Sequence, residues 1–301
     1  MKKLLLSLAV FASSSAFAQV FDVASVEKLD MSGTGVNYVA GISPKGDYIL
    51  LTGSSLEGLV KYDLATGRRD VLSTALGAGN DAKISADGKN VVYREDKIVK
   101  GLRYTDVVDV NTTTGVSTRL LKSTRNLNAI NLQGGRAMMV NGGRITQKRV
   151  AKTVSNASVA PIVSIDNRQL MITKNGTTSV LSPNGTQHSY IWASVSPDGT
   201  KVCYYVCGVG CYVSSIDGND VKYYGILRAA QWYDNNTIVG MKDVDDGHTI
   251  IASSIIAMTL EGKSQCLTDN SLKAMYPYPC REAKKIVFST YEGENYIINV
   301  K

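Results

Sequence analysis

Residues 190–206, YIWASVSPDGTKVCYYV, contain a short apolar run, a turn sequence and a second apolar run. Pro197 fixes φ at the first corner of a turn, Asp198 can hydrogen-bond its own backbone, and Gly199 supplies a positive φ. The run that follows, residues 202–206, is β-branched and aromatic, which is typical of a strand, and it is apolar on both faces. These features predict a hairpin whose second strand is buried between two neighbouring sheets.

The residues after this hairpin predict two more strands. Residues 208–210, GVG, form a tight turn signal, a third strand follows near residues 212–216, and a second turn lies at residues 217–219. A fourth strand is expected near residues 221–224. The unit is therefore a four-stranded meander of about 40 residues, which is the length of one propeller blade.

Similar units recur along the chain. Turn sequences followed by apolar second strands occur at residues 43–46, 85–88, 133–135, 166–167, 196–199, 234–236 and 281–282. No long segment shows the 3.6-residue period of a helix, so we predict an all-β protein. The seven repeats indicate a β-propeller of seven four-stranded blades, in a single domain covering residues 19–301. The repeats in residues 126–188 are short and lack clear outer strands, so six blades is the alternative.

Three repeats carry a resemblance to a known family. SPDGTKVCYYV (196–206), SPKGDYILLT (43–52) and SADGKNVVY (85–93) are similar to the repeat of TolB-like, WD-type β-propellers. The outer turns DLATG (63–67) and SIDG (215–218) resemble the later part of that repeat. The resemblance implies a propeller fold, a cell-envelope setting and protein binding. It implies no catalytic residue, because the matching positions are turns, and we expect the small N-terminal domain of TolB itself to be absent.

The first 18 residues predict a secretory signal peptide. Lys2 and Lys3 precede an apolar run at residues 4–12, and AFA at residues 16–18 is a cleavage site before Gln19. The apolar run is too short to span a bilayer, and no later run is long enough. We therefore expect a periplasmic or secreted, monomeric protein that does not span the membrane. Cleavage would lower the formal net charge from +7 to +5, spread along the chain, which argues against nucleic-acid binding.

Five cysteines could support a disulfide in an exported protein: Cys203, Cys207, Cys211, Cys266 and Cys280. Cys207 and Cys211 flank the GVG turn and could face each other across a hairpin, at a spacing that a disulfide accepts. We therefore consider a Cys207–Cys211 disulfide, with free thiols as an equal alternative.

No residue constellation predicts catalysis. The chain has two histidines, His188 and His248, and neither a Gly-x-Ser-x-Gly nor a His-Glu-x-x-His motif. Asp243, Asp245 and Asp246 resemble part of a calcium loop, but the required glutamate does not follow. We therefore predict no catalytic residue, no metal site and no cofactor.

Aromatic residues on or beside the predicted innermost strands are the candidates for partner binding: Trp192, Trp232, Tyr233, Tyr276 and Tyr278. Packing between blades is the alternative role, because it also requires large side chains. The leading hypothesis is a non-enzymatic cell-envelope propeller that binds a protein or peptide. The alternative is a glycan or peptide hydrolase or lyase with an acid–base pair at the channel mouth.

Three structural expectations complete the interpretation. Residues 24–31 form a spare strand that should pair with the C-terminal strand and close the ring. Residues 95–103 and 243–249 should be the longest connections between second and third strands, and both should emerge on one face. Gly199→Val should cost more stability than Gly218→Val, because Gly199 is expected to be packed among neighbours.

Overall fold

The computed structural model describes residues 19–31, 37–151 and 159–301. These residues form seven antiparallel sheets that follow one another in chain order. The innermost strands of successive sheets contact each other all the way round and surround a central channel. The helical structure in the described residues is one short 3-10 turn, Asn270–Leu272. The prediction of an all-β, seven-bladed propeller is confirmed.

Blades 1 and 2 have four strands each, and the first strand of each lies nearest the channel. Blade 1 contains β2 (Tyr38–Ile42), β3 (Tyr48–Thr52), β4 (Leu59–Asp63) and β5 (Arg69–Ser73). Blade 2 contains β6 (Lys83–Ile84), β7 (Asn90–Val99), β8 (Leu102–Asn111) and β9 (Ser117–Thr124).

Blades 3 and 4 have three strands each within the described residues. Blade 3 contains β10 (Leu127–Gln133), β11 (Arg136–Asn141) and β12 (Arg144–Arg149). Blade 4 contains β13 (Ile162–Asp166), β14 (Gln169–Lys174) and β15 (Thr177–Val180). The weak outer-strand signal in residues 126–188 therefore reflects two short blades and not one elaborated blade.

Blades 5 and 6 have four strands each. Blade 5 contains β16 (Tyr190–Val195), β17 (Lys201–Val206), β18 (Gly210–Ser215) and β19 (Lys222–Tyr223). Blade 6 contains β20 (Arg228–Trp232), β21 (Thr237–Asp245), β22 (Ile250–Thr259) and β23 (Ser264–Cys266).

The turn between β16 and β17 forms as its sequence predicts. The backbone N–H of Gly199 donates to the carbonyl of Ser196 at 2.9 Å. Asp198 accepts hydrogen bonds from the Ser196 hydroxyl at 2.6 Å and from the Thr200 backbone at 3.0 Å. Partial burial alone would raise the pKa of Asp198, but these hydrogen bonds lower it to about 2. The turn is therefore fixed by its own side chains before any packing is considered.

Blade 7 combines the two ends of the chain. It contains β24 (Ala274–Cys280), β25 (Lys285–Thr290), β26 (Asn295–Val300) and β1 (Val23–Lys28) as its outermost strand. The pairing of β1 with β26 is antiparallel and runs from Val23 opposite Val300 to Lys28 opposite Tyr296. The predicted ring closure is confirmed.

The core lies between adjacent blades, on both faces of the second strands. In β17 every residue from Val202 to Val206 is buried. Tyr204 packs toward blade 4, in a cluster with Leu170, and Cys203 packs toward blade 6, in a cluster with Ile238. Burial on both faces explains why the second strand of this repeat is apolar throughout.

In six blades the connections between second and third strands emerge at one end of the ring, which we call the hairpin face: residues 53–58, 100–101, 142–143, 207–209, 246–249 and 291–294. The fourth-to-first connections share this face, because the innermost strands of these blades begin there. Blade 4 runs the other way: Arg168 in its first turn accepts a hydrogen bond from the Tyr190 backbone at the start of β16, and Pro161, before β13, lies beside Gly199 at the opposite face. Residues 95–103 are not a loop, contrary to expectation. β7 and β8 pair without interruption up to Val99 and Leu102, and Lys100–Gly101 form the turn with positive φ at both residues. β21 and β22 likewise pair as far as Asp245 and Ile250.

Removing the closing strand tests its contribution to stability. Deleting residues 19–31 should lower Tm by about 10 °C or more, because it exposes the β26 edge and the apolar residues beneath Val23 and Val26. The matched control is Lys28→Ala, which removes only the exposed ion pair with Glu294 and should leave Tm nearly unchanged. Equal melting temperatures for the deletion and the intact chain would contradict this role for β1.

The glycine expectation reverses once the surroundings are known. Both glycines have positive φ, 74° at Gly199 and 83° at Gly218. A Cβ at Gly199 would meet its nearest neighbour, Pro161 Cδ, at 3.9 Å, whereas one at Gly218 would lie 3.1 Å from Leu181 Cδ1. There is therefore no steric reason for a substitution at Gly199 to cost more stability than one at Gly218, because the connection after blade 4 covers the outer turn that contains Gly218. We now expect Gly218→Ala to cost about 1–3 kcal/mol and Gly199→Ala about 1 kcal/mol. Urea midpoints measure the difference, and a lower midpoint for Gly199→Ala would contradict it.

Candidate functional site

Three consecutive innermost strands carry a β-bulge near the hairpin face. Their ladders shift register between Ile191 and Ser194 in β16, and at the corresponding places in β20 and β24. Within these bulges Trp192, Ala229 and Tyr276 have φ values of 52°, 49° and 50°. Non-glycine residues in this conformation cost about 1–3 kcal/mol each, and such strain accumulates at functional sites. Bulges also redirect side chains. The innermost strands of blades 1 and 3 also shift register, but among the described residues a left-handed non-glycine residue lies within the shift in blades 5 to 7 alone, which marks this side of the channel mouth as a candidate site.

An ion pair lies beside the central bulge. Arg228 Nη1 donates to Asp243 Oδ2 at 2.5 Å. The Asp243 side chain is completely buried, whereas the Arg228 side chain is 35% exposed. The other carboxylate oxygen of Asp243, Oδ1, is buried without a hydrogen-bond partner among the described residues. Hydrogen bonding to Tyr205, followed by the charge of Asp243, raises the pKa of Arg228. The pair therefore presents an arginine head group to the channel mouth and keeps its carboxylate beneath.

Tyr276 places an aromatic side chain next to this pair. It is 39% exposed. Burial of the phenol raises the pKa of Tyr276, and the charge of Asp243 raises it further while Arg228 lowers it. Tyr38, at the start of the innermost strand of blade 1, also raises the pKa of Tyr276. An exposed phenol beside a half-exposed guanidinium forms a surface suited to binding polar and aromatic groups.

The other four predicted aromatic residues are engaged in packing. Trp192 meets the Tyr205 ring edge-on, with ring centroids 5.4 Å apart. Trp232 donates its indole N–H to the Ser194 carbonyl at 3.3 Å and so joins blades 5 and 6. Tyr233 packs edge-to-face on Phe21, with centroids 4.6 Å apart, and Tyr278 packs between blades 7 and 1. Packing between blades thus describes these four side chains, and Tyr276 is the one that the structure exposes.

Exposed apolar side chains are concentrated on the hairpin face. They lie on its connections and extended hairpins, at Leu56, Leu76, Ile98, Val99, Leu102, Val209, Ile226, Val244, Ile251 and Tyr291. Ile98, near the tip of the β7–β8 hairpin, is 61% exposed. On the opposite face, the turns between third and fourth strands carry two exposed large apolar residues within the described chain, Val116 and Val221. Sequence analysis missed this asymmetry, because strand alternation does not show which turn residues share a face.

The opposite mouth of the channel holds a cleft of about 280 Å³. It is lined by the turns between first and second strands and includes Trp232, Tyr233, Pro197, Pro279 and Arg281. Two of the predicted aromatic residues therefore border a cavity as well as the core.

Asp245, Asp246 and His248 lie at the β21–β22 turn, whose backbone the two carboxylates bind. Asp245 Oδ1 accepts the Gly247 N–H at 3.0 Å, and Asp246 Oδ1 accepts the N–H groups of His248 at 2.9 Å and Thr249 at 2.8 Å. The described residues contain no group of three His, Cys, Asp or Glu side chains that could hold a metal ion.

The cysteines are free thiols in the structure, and the considered Cys207–Cys211 disulfide is not formed. The physical reason is the hairpin register: Val206 pairs with Gly210 and Tyr205 with Cys211, so Cys207 lies in the exposed turn. Cys211 instead approaches Cys203, with 3.7 Å between the two buried sulfurs.

Comparisons with known proteins address the fold. No protein-family model matches the sequence, and no curated protein matches it. The WD40 β-propeller domain of Doa1 matches with a TM-score of 0.60 and 9% identity, covering 93% of this chain and 96% of that one. A structure from Agrobacterium tumefaciens assigned as TolB matches with a TM-score of 0.51 and 15% identity, covering 89% and 90% of the two chains.

An oligogalacturonate lyase in complex with manganese matches with a TM-score of 0.48 and 14% identity, covering 86% of this chain and 76% of that one. At this level the lyase carries no argument about activity. No helix among the described residues is long and apolar enough to cross a membrane. The predicted resemblance is confirmed for the fold: this chain is a seven-bladed propeller similar in structure to TolB and WD40 propellers.

Proposed function

We propose that the protein is a non-enzymatic propeller of the cell envelope that binds a protein or peptide partner on its hairpin face. The observation that carries this proposal is the concentration of exposed apolar residues on the connections and extended hairpins of that face. Exposed apolar surface costs solvation free energy, and clusters of it mark interaction sites. The extended β7–β8 and β21–β22 hairpins raise part of this surface above the ring.

The channel mouth supplies the polar part of the interface. Tyr276 and Arg228 lie together there, and aromatic and arginine side chains dominate the energetics of protein interfaces. The strained bulges in β16, β20 and β24 fix the backbone that carries this group. A rigid, preorganised surface loses little conformational entropy on binding.

The rival function is hydrolysis or elimination on a glycan or peptide. For this function, Tyr276 is the candidate acid or base at the channel mouth. Its pKa is raised, and it lies beside the buried Asp243. The fully buried Asp243 carboxylate is already paired with Arg228. We interpret this pair as a structural contact and not as part of an acid–base site. Turnover of a glycan or peptide that Tyr276→Phe abolishes, with folding intact, would replace the binding proposal by this one.

Substitutions at the hairpin tips test the proposed surface. The purified chain from residue 19 is cross-linked in envelope extract, and its captured partner is identified and titrated. Ile98→Glu and Ile251→Glu should each weaken partner binding about tenfold or more, because each places a charge in an apolar contact. Both side chains are exposed, so Tm should stay within about 2 °C of the unmodified chain.

Matched controls are Val116→Glu, on the opposite face, and Val71→Glu, on an outer strand; both are as exposed as Ile98. Both controls should bind normally. Equal loss of binding in all four variants, or in none, would contradict a partner site on the hairpin face.

A further inference from the structure

Arg94 lies on β7, just beyond the part that pairs with the innermost strand of its blade. This innermost strand, β6, is only two residues long and pairs with Val91 and Val92. Beyond Val92, β7 has no inner strand beside it except a single bridge between Leu76 and Asp96. At the height of Arg94, the turn residues 77–82 that connect this bridge to β6 therefore take the place of an inner strand.

The Arg94 guanidinium has no partner among the described residues. Its Nε is buried without a hydrogen-bond acceptor, and no carboxylate lies within ion-pair distance of the side chain. The neighbouring cations on this blade are paired: Lys97 lies 2.9 Å and Arg119 3.0 Å from Asp106, and Arg103 lies 3.9 Å from Asp96.

The nearby carboxylates are engaged elsewhere. Asp96 accepts the Thr105 hydroxyl at 2.5 Å and pairs with Arg103, and Asp81 binds Lys83. Burial lowers the pKa of Arg94, while the charges of Asp81 and Asp96 raise it. Arg94 thus carries a charge that its surroundings influence but do not neutralise. Only Nε is fully buried and Arg94 as a whole is partly exposed, so its unpaired charge costs part of the penalty of a fully buried one.

Electrostatic contacts connect Arg94 with the site on blades 5 to 7. The charge of Asp81, which acts on Arg94, also acts on Tyr278 of blade 7. Burial raises the pKa of Tyr278, with Asp81 and Tyr276 as the next contributions. Arg94 on blade 2 and Tyr278 on blade 7 therefore lie within electrostatic range of the same carboxylate, Asp81.

We propose that Arg94 is the binding site for a carboxylate group of a ligand, beside the start of β6 on blade 2. A guanidinium binds a carboxylate through two parallel N–H···O bonds, which the two Nη groups of Arg94 can donate while Nε stays buried. A singly charged carboxylate fits better than a doubly charged phosphate, because Asp81 and Asp96 repel additional negative charge. That the carboxylate belongs to the partner bound at the hairpin face rests on the proposed function. The carboxylate site itself does not rest on it.

The decisive experiment measures thermal unfolding in sodium acetate against sodium chloride at equal ionic strength. Acetate should raise Tm of the unmodified protein in a saturable manner, by about 2–4 °C at saturation. Arg94→Met should unfold at a higher temperature than the unmodified protein in chloride, because it removes an unpaired, partly buried charge, and it should not respond to acetate. The matched control is Arg103→Met, on the same hairpin but 69% exposed, which should keep the full acetate response.

Three results would overturn the proposal. One is an acetate response that persists in Arg94→Met. A second is a large loss of Tm in Arg94→Met in chloride, which would show that the guanidinium is neutralised within the fold. A larger shift with inorganic phosphate than with acetate would also exclude a preference for carboxylate.

Two further probes distinguish the sources of the carboxylate. Trialanine with a free C terminus is compared with its amide, and N-acetylglutamate amide represents an acidic side chain. Stabilisation by free trialanine alone assigns a chain terminus, and stabilisation by the glutamate derivative assigns a side chain. An Arg94-dependent acetate response together with normal partner capture by Ile98→Glu and Ile251→Glu would leave the carboxylate site standing and refute the proposed hairpin-face partner.

Discussion

The pairing of β1 with β26 is the interaction on which the rest of the ring depends. Each blade packs against a neighbouring blade on both sides. The propeller is therefore complete only when the last blade also packs against the first. Here the N-terminal strand supplies the outer edge of blade 7, and Val20 and Phe21 donate their backbone N–H groups to Gln265 of blade 6, each at 2.7 Å. The chain ends thus hold two blades together, and no strand edge of blade 7 beside β26 stays open.

Closure of the ring allows the strained backbone at the channel mouth to persist. Trp192, Ala229 and Tyr276 hold left-handed conformations that an isolated strand would abandon. Each lies on an innermost strand whose own blade is packed on both faces, with fully buried side chains such as Tyr204 and Phe288 behind it. Rigid packing of this kind over-determines the backbone, so the bulges keep their geometry without local compensation. The same rigidity makes the mouth a fixed surface.

The sequence predicted the architecture because turns and strands are local. Ser196–Gly199 specifies its turn through its own side chains, and the apolar pattern of residues 202–206 specifies a strand buried on both faces. The site is not local. Arg228 and Asp243 are 15 residues apart along the chain and meet only because β20 and β21 pair, and no motif spacing announces that contact. The sequence left a Cys207–Cys211 disulfide and free thiols open for a related reason, since a difference of two residues in hairpin register decides whether Cys211 faces Cys207 or Tyr205.

Arg228 and Arg94 differ in a way that assigns them different roles. Arg228 is neutralised by a carboxylate of its own blade. The ion pair therefore fixes the position of the Arg228 side chain more than it attracts a negatively charged ligand. Arg94 lies where β6 has become too short to cover β7, and its carboxylate neighbours are occupied by Thr105, Arg103 and Lys83. A fold selected for stability alone would gain from an apolar residue at that position. Retaining a charge that costs stability is expected where binding uses it, and Arg94 on blade 2 meets that condition whereas Arg228 does not.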